Sequence, residues 1–317
     1  MRVVFMGTPD FAVASLAALL DASAELGIEV VGVVTATDKW GGRGGKQLLE
    51  SEVKRYAVAH GLPVLQPEKL RHPDFLAELA ELRADLQIVV AFRMLPEVVW
   101  AMPRLGTFNL HGSLLPKYRG AAPINWAIIN GEKETGVTTF FLTHEIDTGS
   151  IVLQTRTPIG EAETFGELYD RLKTIGSEAV VETVRRIQTN TATAHPQNDT
   201  LATPAPKLFT ETCQINFAQP TARIYDFIRG LSPSPTAWTR LDGQVLKVYG
   251  AVKEPFSDDE TAPKMEIGSI VSDQKTFLKV VTEDGFLVLT DVQLHGRKRL
   301  SIRDFLNGYT PKSEKIG

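Results

Sequence analysis

The polar side chains Asn109 and His111 lie two residues apart at the end of an apolar stretch, residues 107–110. Side chains alternate along a strand, so both would lie on one face of it. A buried parallel strand at this position would end at the edge where open α/β sheets bind ligands. An amide and an imidazole at that edge could act together on one carbonyl group.

The segment Asp147-Thr148-Gly149 could bring a carboxylate to the same edge. Its local sequence is typical of an Asx-type turn, and that interpretation stays open. In the functional interpretation Asp147 orients His111, so that an imidazolium and the Asn109 amide stabilise an oxyanion. The same histidine could handle a proton as an amine attacks. The predicted catalytic residues are therefore Asn109, His111 and Asp147.

A covalent intermediate on the protein is not expected. Ser113 is followed by Leu-Leu-Pro and lacks the flanking glycines of a nucleophile elbow. The set of residues therefore predicts direct acyl transfer.

The segments around these residues alternate between β-rich runs and helical spacing. The predicted strands are residues 2–6, 29–35, 86–91, 107–110, 136–142 and 151–157. The predicted helices are residues 11–20, 52–60, 72–83 and 164–187. This alternation predicts a doubly wound, mostly parallel, Rossmann-like sheet covered by helices, within a catalytic domain at 1–189.

The turn after the first strand contains Gly7 but no G-x-G-x-x-G pattern. Pro9 and Asp10 stand where a dinucleotide-binding loop needs glycines, and a carboxylate there would repel a pyrophosphate. The sequence predicts a tight strand-to-helix turn, and a nicotinamide-dependent oxidoreductase is the weaker alternative.

The character of the sequence changes towards its C-terminal third. Residues 190–206 are rich in Thr, Asn and Pro, which predicts a surface linker. From residue 207 onward, short β-rich runs are separated by turn signals such as Asp242-Gly243 and Asp284-Gly285. This pattern predicts an OB-like β-barrel domain at 207–317.

Composition narrows the class of protein. The chain has 317 residues, of which 43% are hydrophobic, a composition typical of a globular protein. Its formal net charge of −4 indicates no overall preference for polyanions. Its one cysteine, Cys213, excludes an internal disulfide and a cysteine-rich zinc site. No apolar run reaches the roughly 18 residues of a membrane span. We expect a cytoplasmic monomer without a metal or a membrane contact.

Several motifs together resemble one known family. The pattern NxHxSLLP at 109–116, followed by YRG at 118–120 and DTG at 147–149, is similar to the formyltransferases that use 10-formyltetrahydrofolate. The resemblance covers nearly the whole chain. It implies catalytic roles for Asn109, His111 and Asp147, and a folate site lined by Ser113, Leu114, Leu115, Pro116, Phe92, Met94 and Leu95.

Three further stretches resemble the members of this family that act on methionyl-tRNA. They are FMGTPDFA at 5–12, DKWGGRGGKQ at 38–47 and RGAAPINWAI at 119–128. The resemblance implies that Arg43 and Lys46 contact tRNA from the glycine-rich loop, and that a C-terminal OB-like domain holds the tRNA. A basic cluster in that domain could contact phosphates; it consists of Arg297, Lys298 and Arg299. A disordered surface loop and a solvated charge cluster remain the alternatives.

The resemblance therefore implies transfer of a formyl group from 10-formyltetrahydrofolate to the α-amino group of methionyl-initiator tRNA, for translation initiation. One alternative is a formyltransferase acting on a small amine, such as glycinamide ribonucleotide or an amino sugar nucleotide. Another is a non-enzymatic RNA-binding protein.

Overall fold

The computed structural model describes residues 1–41, 45–256 and 265–317. These residues form two compact units. The first unit comprises Met1–Pro123, Glu134–Pro158 and Tyr169–Ala205, and the second comprises Ile124–Lys133, Ile159–Leu168 and Pro206–Gly317. Each unit combines segments that are distant in sequence, and the domain limits 1–189, 190–206 and 207–317 stay a prediction.

The secondary structure elements are named here in chain order. The strands of the first unit are β1 (Arg2–Gly7), β2 (Glu29–Val34), β3 (Lys39–Gly41), β4 (Gln47–Leu49), β5 (Val64–Leu65), β6 (Leu86–Val90), β7 (Thr107–His111), β8 (Arg119–Gly120), β9 (Glu134–Phe141), β10 (Ile151–Pro158) and β11 (Pro204–Ala205). The helices of the described chain are α1 (Asp10–Asp21), α2 (Ser23–Leu26), α3 (Glu52–Ala59), α4 (Pro73–Glu81), α5 (Glu97–Trp100), α6 (Pro123–Ile129), α7 (Phe165–Gln188), α8 (Thr221–Leu231) and α9 (Ile302–Gly308).

The central sheet of the first unit has the strand order β10-β9-β7-β6-β1-β2-β5. The neighbouring pairs from β7 to β5 are parallel, whereas β9 pairs antiparallel with β7 and with β10. Every residue of β6 is buried, as expected for an inner strand of a parallel sheet with both faces covered. The predicted fold class of a mostly parallel sheet with helices is confirmed for this unit.

Strand β7 occupies an inner position of this sheet. It runs parallel to β6, with Leu110 opposite Val90, and antiparallel to β9, with His111 opposite Thr138. His111 is the last residue of β7, so it lies at the carboxyl edge of the parallel strands.

The turn from β1 to α1 is closely packed. A Cβ atom at Gly7 would lie 2.5 Å from the Cβ of Ala12, which leaves no room for a side chain. Asp10 accepts a hydrogen bond of 2.6 Å from the Tyr169 hydroxyl and pairs with Lys173 at 3.1 Å. The Asp10 carboxylate is thus engaged within the fold, in agreement with the strand-to-helix turn predicted from the sequence.

The second unit contains an antiparallel sheet. Its strands are β12 (Ala237–Leu241), β13 (Gln244–Pro255), β14 (Ile270–Ser272), β15 (Leu278–Val281), β16 (Gly285–Leu294) and β17 (Leu300–Ser301). Among the described residues they pair in the order β12-β13-β16-β15-β14, with β17 also on β16. Helix α8 contributes Ile224 and Ile228 to the buried core of this sheet. The antiparallel C-terminal β domain is confirmed, and closure into an OB-type barrel stays a prediction.

The hairpin between β12 and β13 follows its predicted turn. Asp242 and Gly243 have φ angles of 51° and 76°, the left-handed values that a two-residue hairpin turn requires at both positions. Across the described ranges, none of the helices is both long and apolar enough to cross a membrane.

Candidate active site

The imidazole of His111 is fixed at the end of β7. Its side chain is only 6% exposed. The ring nitrogen Nε2 lies 2.8 Å from the carbonyl oxygen of Tyr118. A carbonyl oxygen can only accept, so Nε2 is the nitrogen that donates, and the network assigns the ring orientation.

Asp147 reaches the other ring nitrogen of His111. Its carboxylate atom Oδ2 lies 3.8 Å from His111 Nδ1 and accepts a hydrogen bond of 2.9 Å from the backbone N–H of Gly120. The side chain of Asp147 is 13% exposed. The distance of 3.8 Å is too long for a direct hydrogen bond, so the carboxylate faces Nδ1 without one. The structure therefore brings together two side chains that are distant in sequence, as the functional interpretation expects.

Asn109 lies on the same strand, opposite Val89 of β6. Its side chain is partly buried. Within the part of the chain that the structure describes, its amide group has no hydrogen-bond partner. A partly exposed amide that the fold leaves unengaged is available to contact a ligand.

The segment after β7 is a turn held by its own hydrogen bonds. Ser113 is fully buried, and its hydroxyl donates to the carbonyl oxygen of Lys117 at 2.7 Å. The Thr138 hydroxyl donates to the Ser113 carbonyl at 2.6 Å and accepts from the Leu115 N–H at 3.1 Å. Leu114 and Pro116 are partly exposed, whereas Leu115 is 3% exposed. Ser113 thus lacks a free hydroxyl, in agreement with its exclusion as a nucleophile.

The segment after β6 carries the second set of predicted folate residues. Met94 is 73% exposed, Leu95 is 8% exposed, and Phe92 packs partly buried against the same core cluster as Leu95. Arg93 holds this segment in place by donating to the backbone carbonyls of Pro67 and Glu68. Phe92 and Met94 consequently offer apolar surface, whereas Leu95 belongs to the core.

The predicted tRNA-contacting residues are surface residues where the structure describes them. Lys46 is exposed beside the hairpin of β3 and β4, and Arg43 lies outside the described residues. The guanidinium groups of Arg297 and Arg299 lie over the rings of Tyr309 and Tyr249, at 5.6 and 4.5 Å from the ring centroids. Arg299 also pairs with Asp291 at 3.3 Å, and Lys298 is exposed.

Tyr118 and Gly120, for which the sequence predicts no role, hold the two ionisable side chains of this site. Both lie in or next to β8, which pairs with β11. A Cβ atom at Gly120, which has a φ of +129°, would lie 2.5 Å from the Ala205 carbonyl oxygen. The glycine in the Tyr-Arg-Gly motif was the available signal, since a glycine after a turn often marks a close backbone approach.

Comparisons with known proteins agree with this fold. Residues 1–184 match the family model described as formyl transferase, and residues 207–310 match the model described as formyl transferase, C-terminal domain. The chain therefore belongs to the formyl transferase family. The prediction of this family from the sequence motifs is confirmed.

Curated relatives similar to the chain carry one name. A methionyl-tRNA formyltransferase from Parabacteroides distasonis is 55% identical, over 99% of this chain and 97% of the relative. The corresponding protein from Bacteroides fragilis is 52% identical, over 98% of this chain and 95% of the relative. These relatives confirm the predicted class of formyltransferase enzyme and the predicted resemblance to the members that act on methionyl-tRNA.

Solved structures support the fold. An N-formyltransferase from Helicobacter canadensis, in complex with folinic acid and dTDP-3-aminofucose, has a TM-score of 0.67 and 21% identity, covering 93% of this chain and 100% of that chain. Glycinamide ribonucleotide transformylase 1 from Symbiobacterium toebii has a TM-score of 0.53 and 20% identity, covering 62% of this chain and 94% of that chain.

Proposed function

We propose that this chain transfers a formyl group from 10-formyltetrahydrofolate to the α-amino group of methionyl-initiator tRNA. The observation that carries the proposal is the placement of Asp147 Oδ2 at 3.8 Å from Nδ1 of His111, at the carboxyl edge of the sheet. Membership of the formyl transferase family and the methionyl-tRNA formyltransferase relatives support the choice of donor and acceptor.

The residues around this edge fit a folate. A flat heterocycle needs apolar surface and a few convergent polar groups. Phe92, Met94 and Pro116 offer the apolar surface, and the unpartnered amide of Asn109 offers a polar contact. Bound 10-formyltetrahydrofolate would supply the formyl carbon. Ser113, Leu114, Leu115 and Leu95 would shape the wall behind these groups.

The proposed chemistry of the chain centres on His111 Nδ1. Because Nε2 is committed to Tyr118, Nδ1 is the atom that holds or moves a proton as the amine attacks. The charge of Asp147 stabilises the imidazolium that results. The Nδ1 proton and the Asn109 amide N–H then stabilise negative charge on the carbonyl oxygen. As this charge collapses back to a carbonyl, the bond between the formyl carbon and N10 of the folate breaks, and the proton held at Nδ1 passes to N10 so that tetrahydrofolate leaves as an amine.

The basic residues are assigned to the tRNA. Lys298 is exposed, and the guanidinium groups of Arg297 and Arg299 lie over the rings of Tyr309 and Tyr249. Lysine and arginine side chains of this kind neutralise phosphates without reading bases. Lys46 and Arg43 are assigned the same role at the glycine-rich loop.

The cellular setting follows from the substrate. Methionyl-initiator tRNA is used in translation, so we place the chain in the cytoplasm, where its one cysteine, the buried Cys213, would remain a thiol. The monomeric state stays a prediction, which analytical ultracentrifugation would test.

The direct test measures formyl incorporation by the purified chain. With 10-formyltetrahydrofolate as donor, we expect formylation of methionyl-initiator tRNA, and none of glycinamide ribonucleotide or an amino sugar nucleotide. His111→Ala and Asn109→Ala should each lower kcat by about 100-fold or more while tRNA binding persists. His295→Ala, a substitution of an exposed histidine, is the matched control. Near-normal turnover in both site variants would refute the assignment.

A separate test concerns the basic residues. Lys298→Ala should weaken tRNA binding and reduce the slope of log affinity against log salt by about 1, if the side chain contacts one phosphate. The kcat at saturating tRNA should not change. Lys312→Ala, which removes a lysine elsewhere in the same unit, is the control, and an equal slope for wild type and Lys298→Ala would exclude the phosphate contact.

A further inference from the structure

The turn that carries Asp147 is held by a side chain from a distant part of the sequence. Gln197 lies between α7 and β11, in the segment predicted as a linker. This segment is anchored beside the turn, because His195 and Ile151 exchange backbone hydrogen bonds of 2.8 and 2.9 Å. The Gln197 atom Nε2 donates to the carbonyl oxygens of Asp147 and Gly149, at 2.8 and 2.9 Å. One amide group therefore joins both ends of the turn.

The amide of Gln197 uses its full hydrogen-bonding capacity. Its Oε1 accepts from Nε and Nη2 of Arg119, at 3.1 and 2.7 Å. A guanidinium only donates and a carbonyl only accepts, so the network fixes the orientation of the amide. Both donors and both acceptor positions are occupied. A carboxylate of the same size could serve Arg119 but could not donate to the two carbonyls.

The turn needs such support because its backbone is constrained. Asp147 has a φ of 57°, in the left-handed region that is unfavourable for a residue with a side chain. A Cβ atom at Gly149 would lie 1.6 Å from the carbonyl oxygen of Phe141. The Asp147 carboxylate therefore keeps its place only while the backbone stays in this unusual conformation.

Arg119 connects this support to the rest of the site. Its neighbours in sequence are Tyr118, whose carbonyl binds His111, and Gly120, whose N–H binds Asp147. The Arg119 side chain is only 16% exposed, and Nη2 also pairs with Asp199 at 2.6 Å. The same residue thus fixes Gln197 through its side chain and lies between the two backbone groups that hold His111 and Asp147.

We infer that Gln197 is a positioning residue for Asp147, with Arg119 as its anchor. The inference rests on the proposed function, since it takes Asp147 as part of the catalytic set. Gln197 has no contact with His111 among its hydrogen bonds in the described structure. It acts by fixing the backbone of the turn, and thereby the separation of the Asp147 carboxylate from Nδ1 of His111.

The test replaces the amide by a carboxylate. Gln197→Glu keeps the size of the side chain and an acceptor for Arg119 but removes both donors to the turn. We expect kcat for methionyl-tRNA formylation to fall on the order of 10- to 100-fold, with KM for both substrates nearly unchanged. Gln197→Met removes the amide without adding a charge, and it provides the same comparison if the glutamate variant does not fold.

Two controls separate positioning from a general effect on the fold. Asp199→Asn alters the exposed partner of Arg119 and leaves the contacts of Gln197 in place, so its kcat should match wild type. In an Asp147→Asn background, Gln197→Glu should cause no further loss, because two residues that act as a unit are not additive.

The outcomes distinguish this inference from the proposed function. Wild-type kcat in Gln197→Glu or in Gln197→Met, together with a collapse in Asp147→Asn, would overturn the inference and leave the proposed function standing. A full additive loss in the double variant would also overturn it. Retained turnover in Asp147→Asn would overturn the inference together with the role of Asp147, whereas a wild-type chain that does not formylate methionyl-initiator tRNA would overturn the proposed function.

Discussion

Asp147 in the first unit and Asp242 in the second occupy similar turns. Both have left-handed φ angles, 57° and 51°. Each carboxylate accepts backbone hydrogen bonds from a distant segment: Asp147 from Gly120 at 2.9 Å, and Asp242 from Ser313 at 2.7 Å. The same local conformation therefore serves both as a turn and as an anchor for another part of the chain.

The two aspartates differ in the group that faces them. Asp242 also accepts from the Tyr309 hydroxyl at 2.6 Å and from the Lys312 N–H at 3.1 Å, so its carboxylate is fully occupied. Burial alone would raise the pKa of Asp242, but the hydrogen bonds from Ser313, Tyr309 and Lys312 outweigh it and hold the pKa well below its usual range. Asp147 instead faces a histidine at 3.8 Å. The partner of each carboxylate therefore distinguishes the two turns: the proposed chemical role belongs to Asp147, and the hydrogen bonds of Asp242 hold the fold together.

The largest expected difference between the two regions is in turnover. Asp147→Asn removes the charge beside His111, and we expect kcat for formylation to fall by about 100-fold or more, because the imidazolium loses its stabilising partner. Asp242→Asn should leave kcat at the wild-type value. Single-turnover formylation of methionyl-initiator tRNA measures both. Equal activity of the two variants would remove the functional distinction between the aspartates.

The glycines that follow these aspartates should differ in their effect on stability. An alanine at Gly149 would place Cβ 1.6 Å from the Phe141 carbonyl oxygen, so the backbone must shift, and we expect a loss of about 3 kcal/mol or more. Gly243 has open space around it and a φ of +76°. Gly243→Ala should therefore lose only about 1 kcal/mol, from backbone strain.

Urea unfolding measures these losses, and formylation assays add a second comparison. Gly149→Ala should also lose turnover, because it displaces the Asp147 turn, whereas Gly243→Ala should keep it. Gly308→Ala, with open space and no left-handed φ, is the neutral control. A mild Gly149→Ala phenotype would mean that the turn can relax without moving Asp147.

Sequence patterns predicted the strands and turns around Asp147 and Asp242. They did not predict which side chains contact the two aspartates. The apolar runs predicted β6 and β7, and Asp-Gly predicted the β12–β13 hairpin, because both signals depend on neighbouring residues. The local sequence of the Asp-Thr-Gly loop favours a simple turn, and a catalytic position remained the alternative from the residues alone. Only tertiary structure brings His111 to one aspartate and Tyr309 to the other.

Gln197 illustrates the same limit more strongly. Its segment has the composition of a linker. Such a composition indicates only that the segment favours irregular structure. It does not report that one amide of that segment reaches Arg119, Asp147 and Gly149. The family motifs indicated the proposed catalytic set, since they combine residues that are distant in sequence, but they did not include Gln197.

The contribution of the Asp242 carboxylate to the free energy of unfolding should decrease at acid pH. Its folded-state pKa is lowered from the ordinary value of 3.8, so the contribution is present above about pH 4 and is lost as the pH falls further. At pH 7, Asp242→Asn should be less stable than wild type by about 1 kcal/mol. This deficit should shrink below pH 4, because the carboxyl of the unfolded wild-type chain then becomes protonated and unfolding is favoured. Urea unfolding at pH 7, 5, 4 and 3 tests this, and a deficit that is constant down to pH 3 would contradict it.

The smallest effect is expected at the partner of Asp242. Burial, and then the hydrogen bond to Asp242 and its negative charge, raise the pKa of Tyr309 to about 12. Because the pKa of Tyr309 is raised on folding, the contribution of its hydroxyl to stability is fully present below about pH 10. It is lost as the pH rises through the folded-state pKa. Tyr309→Phe keeps the stacking on Phe305 and removes only the hydroxyl, so we expect a deficit of about 0.5–1 kcal/mol at pH 7, with unchanged turnover. The deficit should be constant from pH 6 to 9 and should narrow by pH 10.5, which urea unfolding at these values measures; a widening deficit would show that the hydroxyl does not act through Asp242.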